Sequence, residues 1–506
     1  MPNNPTTTVK NFTISLYAFH LRHTLTDASN EVDANANVLW ENIANLGTVN
    51  LPFSGLNNLH SKLICYQNGN YEPQREQERQ TEWLSDSGSI DLGSFPTTEG
   101  FKIQGNLQPF RLHDTYAVDL TLFPESPQIS IDVPQLQLFK PASLLPTSIQ
   151  ASLGQTIWIY GEVDASENSQ QLAEKIAVAL LAGTNLNPIE VGKDKLLGSF
   201  LFEYQTIDPD DPKNPAKQCQ ILISLNNSQA DTLTWAGQAY DWLRDLMLCR
   251  HKILYINHQA RERYPQAKEL YAKLEQQMRE FPTQIADPKT RLKTLKNLLT
   301  KLPLDDVDYN RCLGDIKTHH TAITTNTQNY ETCLEKIKAI GDVPQFWQDF
   351  LDRTCNQWQA QIKIDLDYLS PCQDLFGQMV DTIRGVVETE QAESDHAAES
   401  TAQKRQQRLE LLITVASTGL AVSGISSQVA NEPAKTILTQ LFPAQFPASS
   451  KPESLSYLVT SFSPIVFHLL VGVIFVIPLA GIVWGIQTNA IGKIRRFIKK
   501  LANRNP

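Results

Sequence analysis

Cysteine is sparse in this 506-residue chain, and what there is does not fall into pairs. The seven cysteines, Cys65, Cys219, Cys249, Cys312, Cys333, Cys355 and Cys372, are odd in number and widely spaced, with no Cys-x-x-Cys. That excludes a disulfide framework and a zinc knuckle, and it predicts reduced thiols in a cytosolic portion. An excess of positive charge is missing too. Lys and Arg total 44 against 54 Asp and Glu, a net −10, so no nucleic acid is expected as a partner held by bulk charge. Charged residues make up 19% and hydrophobic ones 41%, which is too apolar for a disordered chain. The polar start, Met1 to Thr6, lacks the basic and apolar regions of a signal peptide, and the bulk of the chain is expected to stay in the cytosol. The phosphate-binding Gly-x-x-x-x-Gly-Lys-Ser/Thr, the Gly-x-Ser-x-Gly elbow and the His-Glu-x-x-His zinc helix are all absent. His113, Asp114 and His251 have no visible nucleophile partner. The sequence therefore assigns no catalytic and no cofactor-binding residue, and the chain does not read as an enzyme.

What the chain does have is concentrated near its C-terminal end. Ile465 to Ile486 is a 22-residue stretch whose one ionisable group is His468. As a helix it is about 33 Å long, enough to cross a bilayer core. Pro478 is tolerated there, and Trp484 lies where an interfacial indole belongs. A second uncharged stretch, Leu411 to Asn431, is bracketed by Glu410 and Glu432. At helical spacing Thr414, Ser417, Ala421, Gly424, Gln428 and Asn431 form one stripe of small and polar side chains. Such a stripe is a helix-packing seam, a pore lining, or part of a helix lying at the interface.

Charge sets the topology. Lys404, Arg405 and Arg408 precede the first stretch. Lys493, Arg495, Arg496, Lys499, Lys500 and Arg504 follow the second, with no acidic residue among them. The loop between carries Glu432, Lys435, Lys451 and Glu453, which cancel. Positive flanks stay in the cytosol, so a two-helix hairpin with both termini inside a cell (inner or plasma) membrane agrees with the missing signal peptide and the unpaired cysteines. The basic tail, with Ile491, Ile494, Phe497, Ile498 and Leu501 on one helical face, suits an anionic lipid surface or serves only to fix topology.

Three segments follow from these patterns. Residues 1–235 read as an α/β cytosolic domain. Strands are expected over Phe12 to Phe19, Tyr116 to Phe123, Ile157 to Tyr160, Gly198 to Tyr204 and Gln220 to Leu225, and helices over Ala34 to Leu46 and Ser169 to Leu181. Residues 236–408 read as a helical stalk. Tyr309, Leu313, Ile316, His320, Ile323, Thr327, Tyr330, Leu334 and Ile337 alternate steps of four and three, as in a coiled coil, and so do Cys372, Phe376, Met379, Ile383 and Val386. The seam Tyr309 to Ile337 and the polar helix Glu388 to Arg408 suggest contacts beyond one chain, with packing inside the chain as the alternative for the first. Residues 409–506 hold the two transmembrane helices, the outer loop and the basic tail.

Metal ligands are weakly signalled. His319 and His320, with Cys312 and Cys333 nearby, point about 100° apart on a helix. Asp306, Asp308 and Asn310 open like a calcium loop, but Arg311 stands where Gly is needed and Lys317 where Glu is needed. The acidic run Glu388 to Glu399 reads as a solvated face. The metal ligands stay unknown.

The order of α/β domain, helical stalk, two C-terminal spans and basic terminus resembles the CorA-type magnesium channels. The pattern resemblance runs over about Leu366 to Asn431 and Ile465 to Lys500, and the cluster Arg495, Arg496, Phe497, Ile498, Lys499, Lys500 looks like that family's basic end. The family's Gly-Met-Asn is absent; the corresponding stretch is Gly424 to Asn431, so no selectivity residue carries over. The resemblance implies a homo-oligomer, typically a pentamer, conducting a divalent cation under control of its cytosolic domain. The alternative is a non-conducting, membrane-anchored sensor or effector whose cytosolic domain binds a small molecule or a protein.

Overall fold

The computed structural model describes residues 8–24, 31–77, 82–227, 229–287, 290–396 and 413. Apart from Ile413, both uncharged stretches lie outside the described residues, and so do the stripe from Thr414 to Asn431 and the basic tail from Lys493 to Arg504. Among the described residues no helix is long and apolar enough to cross a membrane.

The chain up to Asn226 is a mixed α/β sheet domain. Its strands are β1 (Thr8–Leu21), the small hairpin β2 (Tyr66–Gln67) and β3 (Asn70–Tyr71), β4 (Ile90–Pro96), β5 (Lys102–Leu112), β6 (Thr115–Pro124), β7 (Ile131–Asp132), β8 (Gly154–Glu162), β9 (Ile189–Leu196), β10 (Ser199–Thr206) and β11 (Cys219–Asn226). The helices are α1 (Val38–Val49), four single turns α2 (Ser54–Asn57), α3 (Leu59–Lys62), α4 (Gln74–Gln77) and α5 (Pro146–Ile149), and α6 (Ser169–Leu180). The large sheet runs β4-β5-β6-β1-β8-β11-β10-β9, with β7 pairing on β1. All its pairings are antiparallel except β8 with β11.

The two faces of this sheet differ in chemistry, because side chains alternate along each strand. One face carries Ile14, Leu16, Ala18, Val118, Leu120, Ile157, Ile159, Ile221 and Ile223, all buried. Against it pack Leu39, Trp40 and Ile43 of α1 and Leu172, Ala173, Ile176, Ala177 and Leu180 of α6. Helix α6 is capped by Asn168, whose Oδ1 accepts from Gln171 N at 3.2 Å. The opposite face pairs Ser15 with Trp158 and Thr121, Tyr17 with Thr156 and Asp119, and Ser224 with Tyr160 and Leu201. It is a face of hydroxyls, amides and aromatic rings.

Beyond Asn226 the described chain is helical: α7 (Thr232–Gln284), α8 (Arg291–Lys338), the short α9 (Gln345–Asp349), a wide turn over Phe350–Cys355, and α10 (Asn356–His396). Pro265, Pro303 and Pro371 lie inside these helices. Two compact units result, and the division of α7 falls at Pro265. The first unit joins the sheet domain and α7 through Tyr264 to Gly314–Asp365. Here the first half of α7 lies on the hydroxyl face, since Leu233, Ala236, Tyr240, Leu243, Met247 and Arg250 repeat at steps of three and four. The β9–β10 hairpin closes through Leu197 and Gly198 (φ 49° and 83°), the two left-handed positions of a type I′ turn. That hairpin is fastened to the later chain, with Gly198 N donating to Asp342 Oδ1 at 2.6 Å and Gln345 N to Asp194 Oδ2 at 2.8 Å.

The second unit comprises Pro265–Leu313 and the described residues from Leu366 on. Tyr309 donates to the Leu369 carbonyl and its ring lies 5.6 Å from that of Phe376. Lys273 pairs with Asp305 at 2.6 Å and Arg291 with Glu390 at 3.4 Å. Leu295, Leu302, Cys372, Phe376, Met379 and Ile383 are buried. The seam from Tyr309 to Ile337 is buried too, apart from half-buried His320. Among the described residues these side chains are packed within the chain.

Candidate functional site

The chain leaves the two parallel strands in opposite directions. From β8 it passes through residues 163–168 to α6 on the aliphatic face. From β11 it passes through residues 227–231 to α7 on the hydroxyl face. When neighbouring parallel strands send their next helices to opposite faces, a crevice opens beyond their carboxyl ends, and ligands of α/β sheets bind there. Two cavities lie at this point. The first, about 190 Å³, is lined by Thr13, Ser15, Tyr17, Trp158, Tyr160, Ser199, Ser224, Tyr240 and several leucines. The second, about 280 Å³, is lined by Glu162, Asn226, Asn227 and Gln229 and shares Tyr160 and Leu233 with the first.

A bulge in β1 shapes the entrance. The register shifts between Lys10 and Thr13, and Asn11 takes φ 47°. The bulge re-aims the Asn11 amide, whose Nδ2 donates to Glu162 Oε1 at 2.8 Å. Tyr160 OH donates to the same oxygen at 3.4 Å. Burial, with the Glu162 carboxylate beside it, pushes the Tyr160 phenol up to about 12, against an opposing bond from Asn226. Across the parallel pair, Trp158 Nε1 donates to Ser224 Oγ at 2.9 Å. Deeper in, Asp119 accepts from Tyr240 OH at 2.7 Å and from Thr121 Oγ1 at 2.8 Å. Burial holds the Asp119 carboxyl above its usual range, and these donors oppose that rise. The phenols of Tyr17 and Tyr240 are raised, first by burial and then by Asp119.

Other buried polar groups form closed clusters. Glu76 accepts from Arg22 Nε at 2.8 Å and from the Tyr116 hydroxyl, and lies 3.5 Å from Arg111. Tyr71 and Tyr116 share a hydroxyl bond at 2.8 Å. His251 does meet a hydroxyl: its Nε2 lies 2.9 Å from Thr156 Oγ1. Thr156 gives its own proton to Gln220 Oε1 at 2.9 Å, so His251 Nε2 carries the hydrogen. Both residues are buried. Asp114 accepts from Lys252 Nζ. These arrangements are structural.

Among the metal candidates, His319 is buried and its Nδ1 has no partner among the described residues. Asp306 accepts from Asn310 Nδ2 at 2.9 Å, a bond within one helix turn. The described part of the acidic run holds Glu390, which pairs with Arg291. No group of three His, Cys, Asp or Glu side chains able to hold a metal occurs among the described residues. All seven cysteines are free and buried.

The crevice residues were not singled out by the sequence reading. The signal available was the period-two run of hydroxyls and rings, Thr13-x-Ser15-x-Tyr17 and Trp158-x-Tyr160-x-Glu162, in strands whose alternate residues are aliphatic. Comparisons with protein-family models, curated proteins and solved structures give no match.

Proposed function

We propose that the chain is a membrane protein of CorA-like organisation that conducts cations as a homo-oligomer under the control of its cytosolic α/β domain. The observation that supports this most is the order of elements: a sheet domain ending at Asn226, then helices of 53, 48 and 41 residues with no further described strand. The last of them ends at His396, shortly before the uncharged stretch that begins at Leu411. The charge pattern of the C-terminal hundred residues supports the hairpin and the location of both ends in the cytosol. Cation flux from proteoliposomes tests the reading.

A second reading, a non-conducting sensor or effector with the same membrane hairpin, is favoured by one observation. The crevice beyond β8 and β11 has the position and the lining of a small-molecule site. In the first reading that crevice is where the gating ligand binds; in the second it is where a signal is received without conduction.

A further inference from the structure

The crevice chemistry narrows the ligand, on the reading that the crevice is a ligand site. Among the described residues, neither chamber is lined by lysine, arginine or histidine. A phosphate or carboxylate ligand would find no cation to hold it. Glu162, half-buried, has no ion-pair partner among the described residues, and Lys10, opposite it on β1, is not paired with it. Its Oε1 already accepts from Asn11 and Tyr160, which fixes the carboxylate in place. One carboxylate without further ligands is a poor site for a metal ion. It is a good site for an ammonium group, provided the rest of the cation is accommodated.

The first chamber supplies that accommodation. Tyr17, Trp158, Tyr160 and Tyr240 all line it. A phenol that donates to a carboxylate becomes richer in electrons, and Tyr240 donates to Asp119 and Tyr160 to Glu162. Electron-rich rings attract alkylated ammonium groups, which hold their hydration weakly. Leu196, Leu197, Leu233 and Leu243 provide apolar contact for the alkyl part.

We propose that the crevice binds a small organic cation of the alkylammonium class, its charged head between Glu162 and Tyr160, where the two chambers meet, and its alkyl part against Trp158 and the leucines of the first chamber. The test uses the full chain in detergent micelles, with tryptophan fluorescence as the readout because Trp158 lines the site. Choline is one probe, and its uncharged isostere 3,3-dimethylbutan-1-ol is the other. Choline should give a saturable change, and the isostere should bind at least about tenfold more weakly. Glu162→Gln should weaken choline about tenfold while leaving the thermal midpoint unchanged, since glutamine keeps an oxygen to accept from Asn11 and Tyr160 and Glu162 makes no ion pair among the described residues. An equal response to both probes would overturn the cation class but keep the crevice as a ligand site. No saturable response to either would overturn the class and the ligand site together. Unchanged choline affinity in Glu162→Gln would overturn the placement of the charged head.

Discussion

Arg250 on α7 reaches through the hydroxyl face of the sheet to Glu203 on β10, with Nη2 at 3.0 Å from Oε1. Trp347 Nε1 takes the other oxygen at 3.0 Å, and the guanidinium lies 4.6 Å from the centre of the Phe350 ring. The pair is buried and locks α7, β10 and the segment after α8 together within the first unit. Removing one partner strands the other charge in a low-dielectric interior. Glu203→Ala is therefore expected to lower stability by about 3–5 kcal/mol. The double variant Glu203→Leu with Arg250→Met should recover most of that loss. Thermal unfolding of the purified chain measures both; equal losses in single and double variants would contradict the account.

His251 sets a pH dependence. Burial, reinforced by the neighbouring Arg250 charge, pushes its imidazole down to about 3. The native state thus holds His251 neutral where the unfolded chain protonates it near pH 6.5. The unfolded state binds more protons between these values, so stability is complete above about pH 6.5 and falls as the pH drops towards 3. His20 and His319, also lowered by burial, act in the same direction. Between pH 7.5 and pH 5.0 the His251 contribution alone is about 2 kcal/mol. His251→Gln should lower stability at pH 7.5 and flatten the slope between pH 6.5 and 5. A slope identical to that of the unmodified chain would contradict this.

Gly154 opens β8 with φ 119°, and a Cβ there would stand 2.8 Å from His251 Nδ1 and 3.2 Å from the Pro215 carbonyl. A contact that short forces the buried His251 ring or the backbone to shift. Gly154→Ala should cost about 1–3 kcal/mol through strain at a conformation closed to L-residues. Gly183, with φ 83° and no neighbour within 4 Å of an added Cβ, is the control for strain alone. A smaller loss at position 154 than at 183 would show that the His251 contact carries no weight.

The sequence placed five of the strands and both longer helices of the sheet domain, because β-branched and aromatic runs between turn residues signal buried strands. Besides the two-residue β2, β3 and β7 it missed β4, β5 and β9, and the reason is physical. β9 reads Ile-Glu-Val-Gly-Lys-Asp-Lys-Leu and is almost wholly exposed at the sheet edge, where charge protects against pairing with another chain. β4 is the opposite edge, and β5 carries Gly105 and Pro109. The crevice was illegible for another reason. Tyr17, Asp119, Trp158 and Tyr240 come from separate strands and a helix, and only the strand order brings them together. The heptad-like seams were legible as apolar spacing, yet spacing alone does not say whether the partner is the same chain or a copy.

Topology rests on charge around two uncharged stretches outside the described residues. A single cysteine placed at Ala448 should react with an impermeant reagent in intact cells, and one placed at Arg496 should not. Labelling at position 496 from outside would contradict the hairpin.

The central claim, conduction under control of the α/β domain, is tested most directly by cation flux. Purified chain reconstituted in liposomes is assayed with several divalent and monovalent cations, with and without choline as a probe of the crevice. The account predicts flux from the unmodified chain. It also predicts reduced flux for Gly424→Leu and Thr414→Lys at unchanged oligomer size, as narrowing and added positive charge in a water-filled path require. Loss of oligomer or expression in Gly424→Leu would mark the stripe as a helix-packing seam instead. Absence of flux from the unmodified chain with every cation, with or without choline, would contradict conduction and leave the sensor.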